Sequence, residues 1–200
     1  MGGGNIIIHN GIVFKQTKQI LDKNEFNIVC VGRLEEHKNF QLAIKALAKV
    51  KFDFKLYILG EGVYENELKK LVNDLKIEHK IKFLGFVDNP QDYIASSNMQ
   101  LLFSRLEGFS LALIEGIYYG KMVFAIDVAN HKEILGSDFI LENDEFAVAN
   151  KLNEVYENYE SYVNSFKKIK EKSKQYDIKN VALKYIKAYE SLLDKINKKI

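Results

Sequence analysis

The sequence predicts an α/β protein: a Rossmann-like, doubly wound parallel sheet of about six strands, with helices on both faces and further helices at the C-terminus. Three observations predict it. Short runs of strand length end repeatedly in polar or glycine-bearing turns. Between those runs, apolar residues recur at helical spacing. From Glu145 onward only helical patterning remains.

In order, the chain opens with a short apolar run, Asn5 to Gly11, stopped by the turn pair Asn10-Gly11, and Gln16 to Phe26 reads as polar linker. Ile28 to Val31 is a buried-strand run ending at Gly32, and Phe40, Ala43, Ile44 and Leu47 then share one helix face. The plan repeats with the strand Lys55 to Leu59, the turn Gly60-Glu61-Gly62, and a helix face of Leu68, Leu71, Val72 and Leu75. Ile81 to Leu84 is the third strand, followed by Gly85-Phe86-Val87. Asn89-Pro90 opens a short helix to about Ala95, proline being suited to a first turn.

Met99 to Phe103 is the fourth strand; after Glu107-Gly108-Phe109-Ser110, the residues Leu111, Ile114 and Tyr118 mark a helix to Tyr119. Val123 to Ile126 and Phe139 to Leu141 are two more strands, with a brief helix His131 to Leu135 between them. Such alternation implies right-handed crossovers in a parallel sheet. Residues 5–145 are the expected Rossmann-like domain and 146–200 helices packing on it. In the last helix Ala182, Ile186, Tyr189, Leu193 and Ile196 keep a 4-3-4-3 spacing. That apolar seam is read as packing on the parent domain, with peripheral membrane association or a foreign partner as the alternative.

Composition excludes several function classes. The 200 residues suffice for one sizeable domain, burying roughly 70% of its unfolded surface. With 29 Lys and Arg against 27 Asp and Glu, the net charge of +2 is too balanced to suggest a nucleic-acid partner. Cys30, the single cysteine, forms no internal disulfide and reads as a reduced core residue of a cytoplasmic protein. No 18-residue apolar run spans a membrane, and Met1-Gly-Gly-Gly4 lacks the features of a signal peptide. Four histidines show no metal-ligand spacing, and neither a G-x-S-x-G elbow nor an Asp-x-Asp pair occurs. No metal and no cofactor is expected. Gly60-Glu-Gly62-Val-Tyr-Glu65 carries two glycines of a dinucleotide fingerprint, but Glu65 stands where the third belongs, and its charge would repel a pyrophosphate.

Two strand-to-helix loops carry the chemistry. Val31-Gly32-Arg33-Leu34-Glu35-Glu36-His37-Lys38 supplies cations at the predicted C-terminal edge of the sheet. A diphosphate in a partly dehydrated cleft needs fixed cations or a metal, and Arg33 offers a bidentate fork, Lys38 a point charge. The second loop holds Glu107 and, eight residues on, Glu115 just over a turn into the helix. Carboxylates suit hydroxyls, so the two loops suggest a sugar-diphosphate pocket with one carboxylate per sugar ring.

Those residues carry a family resemblance. Asn10-Gly11, Gly32-Arg33-Leu34 with Lys38, Gly60-Glu61-Gly62, Gly85-Phe86-Val87, and Ser104 through the Glu107-Gly108-Phe109…Glu115 motif resemble the C-terminal, donor-binding domain of group 1 (family 4) retaining glycosyltransferases, over residues 5 to 180. Members have the GT-B fold, two Rossmann-like domains facing a cleft. The resemblance implies that Arg33 and Lys38 bind the donor diphosphate, with the Leu111-Ala112 backbone nearby. It implies that Glu107, the candidate catalytic residue, binds donor-sugar hydroxyls near the reacting carbon, with Gly108, Phe109 and Ser110 seating the sugar. Glu115 would take the ribose hydroxyls, Phe86 and Val87 the base, and Gly60 would lie in the nucleotide site.

The chain departs from the family pattern at Glu115-Gly116, at Gly120-Lys-Met-Val123, and at Ala129-Asn130, where a glycine pair is expected. The expected function is the donor half of a metal-independent transferase. It would move a sugar from a nucleotide-sugar, a UDP-sugar above all, to a glycan or lipid-linked acceptor in surface polysaccharide synthesis, in the cytoplasm or at the inner face of the membrane. An N-terminal acceptor domain is the implied further partner, without which the isolated chain would be inactive. The alternatives are a sugar-nucleotide epimerase of similar architecture and a non-catalytic binding module.

Overall fold

A computed structural model describes residues 7–197, and side chains up to residue 194. Asn5, Ile6 and the Ile196 side chain of the predicted seam lie outside the described residues.

Six parallel strands form one sheet: β1 Asn27–Val31, β2 Lys55–Leu59, β3 Ile81–Gly85, β4 Met99–Leu102, β5 Val123–Ile126 and β6 Ile140–Leu141. The connecting helices are α1 Phe40–Leu47, α2 Glu65–Asp74, α3 Pro90–Ser96, α4 Leu111–Tyr119 and α5 His131–Leu135; α6 Glu145–Glu157, α7 Tyr159–Lys172 and α8 Ile178–Asn197 follow the last strand. Strand order is β3-β2-β1-β4-β5-β6. The chain starts in the middle, winds out to one edge, then returns to β4 and winds to the other. The order therefore reverses between β1 and β4, and a crevice opens beyond their C-terminal ends.

Burial on both faces explains why the strands read as continuous apolar runs. In β1, Ile28 and Cys30 pack in the main core with α1 (Phe40, Ala43, Ile44, Leu47). Val29 and Val31 point to the opposite face and a smaller cluster with Leu59 and Ile94. Fully burying each such aliphatic side chain contributes about 1.5–3 kcal/mol. Burial also pushes the Cys30 thiol up to about 12, which keeps it an inert core group.

The linker over residues 16–26 is strapped to α3: the Lys18 N–H donates to Asp92 (2.9 Å) and the Ile20 N–H to Ser96 (2.9 Å). The described part of the opening run, residues 7–11, forms no regular strand; just after it Ile12 makes an isolated bridge to Asp177, tying this segment to the start of α8.

Glu115-Gly116 has a packing cause. A Cβ on Gly116 would lie 2.2 Å from Gln100 Oε1 and 2.6 Å from Val123 Cγ2, because α4 sits directly on β4 and β5. The bulk of Gln100, buried in β4, has taken the space an alanine would need. Gly116→Ala is expected to destabilise by about 1–3 kcal/mol, as overpacking does. Adding Gln100→Ala should recover part of the loss in a urea melt. At Ala129-Asn130 the backbone is what glycine would adopt: Ala129 has φ 51°, so alanine carries a left-handed strain there.

The seam prediction needs correction. Val181, in the first turn of α8, is buried, but Ile186, Tyr189 and Leu193 are 51%, 63% and 58% exposed. The core strands are already buried under the earlier helices, and beyond Val181 the described side chains of α8 stay outside that core. Among the described residues no helix is long and apolar enough to cross a membrane.

Candidate functional site

The loops that follow β1 and β4 meet at the point where strand order reverses. Lys38 closes a short 3-10 turn, Glu36–Lys38, just before α1. Glu107 sits in the loop from β4 to α4. Lys38 Nζ donates to Glu107 Oε1 at 2.7 Å, with both side chains largely buried at 20% and 14% exposure. Residues 69 positions apart in sequence are thus in direct contact, which sequence spacing alone did not disclose.

The Glu107 carboxyl is pulled two ways. Burial pushes its pKa up; Lys38, the Ser104 hydroxyl and the field of His131 pull it down and win, so it stays below the usual carboxylate value. His131 is 1% exposed. Its Nδ1 lies 2.9 Å from the Ile126 carbonyl oxygen, and its buried Nε2 has no partner among the described residues. Neither Ser104 nor His131 was given a role from spacing: the sequence showed one as a motif edge and the other as a helix start.

Arg33 does not join Lys38. Its guanidinium pairs with Glu35 (2.6 Å), its side chain is 74% exposed, and Glu35 also lies 3.2 Å from His37 Nδ1. The loop is at the predicted rim, but the fork is held outward by an acid three positions before Lys38.

Ser110 caps α4, its hydroxyl accepting from the Leu113 N–H at 3.3 Å. The Leu111 and Ala112 N–H groups have no acceptor among the described residues and present the positive end of the helix to the crevice. Gly108 is exposed, and a Cβ there would meet nothing within 4 Å. Phe109 is stacked on His9 (centroids 5.2 Å apart) and tilted against Tyr176 (5.8 Å).

Glu115 is half-buried in the second turn of α4. Burial raises its pKa, and Lys15 opposes the rise only partly. The sign follows directly. A carboxyl with a raised folded-state pKa favours the protonated fold, so its contribution is fully present below its unfolded value and is lost as pH rises through the folded one. Glu115→Gln is therefore expected to make the chain more stable at neutral pH than the parent. The gain should vanish in acid, as read by urea denaturation at both pH values.

The glycines after β2 serve loop packing. Gly60, with φ 130°, would place a Cβ 2.0 Å from the Gly32 carbonyl oxygen, and Gly62 one 2.2 Å from that of Leu34. The close approach lets Leu34 N–H donate to Glu61 O (2.9 Å) and Tyr64 N–H to Leu34 O (2.9 Å), fixing the loop that carries Arg33 and Lys38. Phe86, at the end of β3, is 73% exposed with its N–H on Glu61 Oε1 (3.3 Å), while Val87 packs into the smaller cluster.

A cavity of about 710 Å³ lies elsewhere, at the far end of α4, lined by Phe14, Lys15, Tyr119 and Lys170 among others. At the rim the Lys38–Glu107 charge pair marks the candidate site. Among the described residues no group of three or more His, Cys, Asp or Glu side chains could hold a metal ion.

Residues 13–181 match the family model described as "Glycosyl transferases group 1". A Campylobacter jejuni relative, N-acetylgalactosamine-N,N'-diacetylbacillosaminyl-diphospho-undecaprenol 4-alpha-N-acetylgalactosaminyltransferase, is 40% identical over 135 residues, which are 67% of this chain and 37% of that protein. The Escherichia coli O-antigen biosynthesis glycosyltransferase WclY is 29% identical over 140 residues, 64% of this chain and 39% of that protein. The chain thus spans well under half the length of these two relatives. Among solved structures, Anabaena Alr3699/HepE in complex with UDP and glucose superposes with a TM-score of 0.78 at 20% identity, over 84% of this chain and 49% of that one. With the family model covering most of its length and the Lys38–Glu107 pair at the reversal of strand order, this chain belongs to the group 1 glycosyltransferases.

Proposed function

We propose that this chain is the donor-binding half of a retaining, metal-independent glycosyltransferase that takes a UDP-sugar and serves a glycan or lipid-linked acceptor. Residues 5–145 form the donor domain in this reading, and an N-terminal domain carries the acceptor. The observation that carries it is the Lys38–Glu107 pair, whose Glu107 lies in the loop that leads into α4: one cation and one anion, side by side, match a ligand with a diphosphate next to a hydroxyl-rich ring. The relatives' names point the same way, one acting on a diphospho-undecaprenol-linked sugar and one in O-antigen biosynthesis.

In this reading Lys38 and the free amides of Leu111 and Ala112 hold the diphosphate. Arg33 leaves Glu35 to join them. Together they stabilise the negative charge that grows as the sugar–oxygen bond breaks, where stabilisation lowers the barrier. Glu107 accepts hydrogen bonds from sugar hydroxyls. Glu115 takes the ribose hydroxyls, and the Phe86-Val87 loop takes the base, largely through its backbone.

Calorimetry with UDP in the presence of a chelator tests the reading. Binding is expected without metal, weakened by Arg33→Ala and by Glu115→Ala. Failure to bind UDP or any other nucleoside diphosphate overturns it.

A further inference from the structure

Asn39 follows Lys38 directly and is 1% exposed. Its backbone is left-handed (φ 55°, ψ 36°), a conformation that asparagine tolerates better than most residues. It stands at the N-cap of α1, where an asparagine side chain ordinarily accepts from the first-turn amides, yet it makes no such bond. The amide is engaged elsewhere. Its Oδ1 accepts from Arg105 Nη2 at 3.1 Å, and its Nδ2 donates to Asn143 Oδ1 at 3.2 Å. From the other side of Lys38, the His37 carbonyl accepts from the Arg105 backbone N–H at 2.8 Å. Both neighbours of Lys38 are thus bonded to Arg105, which stands two residues before Glu107. Asn143 adds the loop after β6.

We propose that Asn39, acting with Arg105, is a positioning residue that sets the separation of Lys38 and Glu107, and so the geometry in which a diphosphate and a sugar hydroxyl are met. The physical reason is leverage. Lys38 has four freely rotating methylene groups, and a 2.7 Å contact to a loop 69 residues away holds only if the two backbones cannot slide. A buried amide with both ends satisfied resists sliding, because parting it strands polar atoms out of water. The assignment of a donor to this groove rests on the function proposed above; the bracing of Lys38 against Glu107 does not.

The test uses the ligand-free chain and the carboxyl carbon resonance of Glu107. Asn39→Gly keeps the left-handed backbone and deletes the amide. Arg105→Met removes the partner from an exposed position and keeps the Arg105 backbone bond to His37, and a urea melt of each variant checks that it is folded across the pH range used. Both are expected to move the Glu107 titration upward, toward that of Lys38→Met. A second cycle separates bracing from the field of the Arg105 charge: in a Lys38→Met background, Arg105→Met should add no further shift, whereas a simple field effect persists.

UDP affinity should fall by about fivefold in each single variant, the equivalent of one net hydrogen bond, because Lys38 is displaced while the Glu107 carboxylate keeps its charge. A Glu107 titration unchanged in both variants overturns the inference, as does a shift that survives in the Lys38→Met background. If the parent chain binds no UDP, the donor reading fails while the titration still decides the bracing. If UDP binds and the titration does not move, the bracing fails and the donor reading stands.

Discussion

Lys38→Ala is expected to weaken UDP binding by about 30-fold or more, the low end of what truncating one member of a desolvated, hydrogen-bonded charge pair costs. Two losses combine. The proposed diphosphate loses its buried cation, and Arg33, 74% exposed and with a contact of its own in this reading, cannot also fill the point that Lys38 leaves. The half-buried Glu107 carboxylate is also left uncompensated, adding a negative charge beside the incoming phosphate.

The second loss has its own signature. In the parent chain Glu107 titrates below the usual carboxylate value, so its contribution to stability is present above its unfolded pKa and fades as pH falls through the folded one. The stability gap between the parent and Lys38→Ala should therefore be full at neutral pH and close in acid. A gap independent of pH, or UDP binding within threefold of the parent's, roughly 0.7 kcal/mol, would refute the pairing as the source.

Glu107→Gln is expected to act in opposite directions on two ligands. In the ligand-free chain Lys38 is already occupied by Glu107 at 2.7 Å, so a diphosphate must compete with an internal carboxylate. Removing that charge frees the ammonium. UDP should then bind up to about tenfold more tightly, the equivalent of one charge-assisted hydrogen bond no longer contested. Turnover of a UDP-sugar by the intact enzyme should fall by about a hundredfold or more, since a neutral amide no longer offers a charged acceptor to the sugar as it gains positive character. Calorimetry with UDP and a steady-state assay on the same variant read both signs. If UDP affinity falls along with turnover, Glu107 contributes to diphosphate binding through structure, and the competition does not exist.

Much of the fold was legible because it depends on local pattern. The limits of β2, Lys55–Leu59, and of α4, Leu111–Tyr119, follow from apolar runs and from turns that glycine and serine punctuate. β6, only two residues long, was read as three, since a short edge strand has little period to show. The seam of α8 was legible as a pattern and illegible as a contact, because periodicity says which residues share a face and not what covers that face. At the candidate site, Lys38 and Glu107 were found by loop position and by residue type. The outward pairing of Arg33 with Glu35 was not, since the direction of a long side chain depends on its nearest opposite charge.

The sequence by itself determined that strands and helices alternate and that two charged loops follow strands β1 and β4. Only the tertiary structure decided that β1 lies beside β4, which turns two distant loops into one site. It also decided that Lys38 is already paired, that His131 and Ser104 bear on Glu107, and that Asn39 and Arg105 hold the loops in place. The reason is range. Period and turn chemistry act over a few residues, whereas an ion pair or a buried hydrogen bond depends on which strands become neighbours, and burial of the whole sheet settles that.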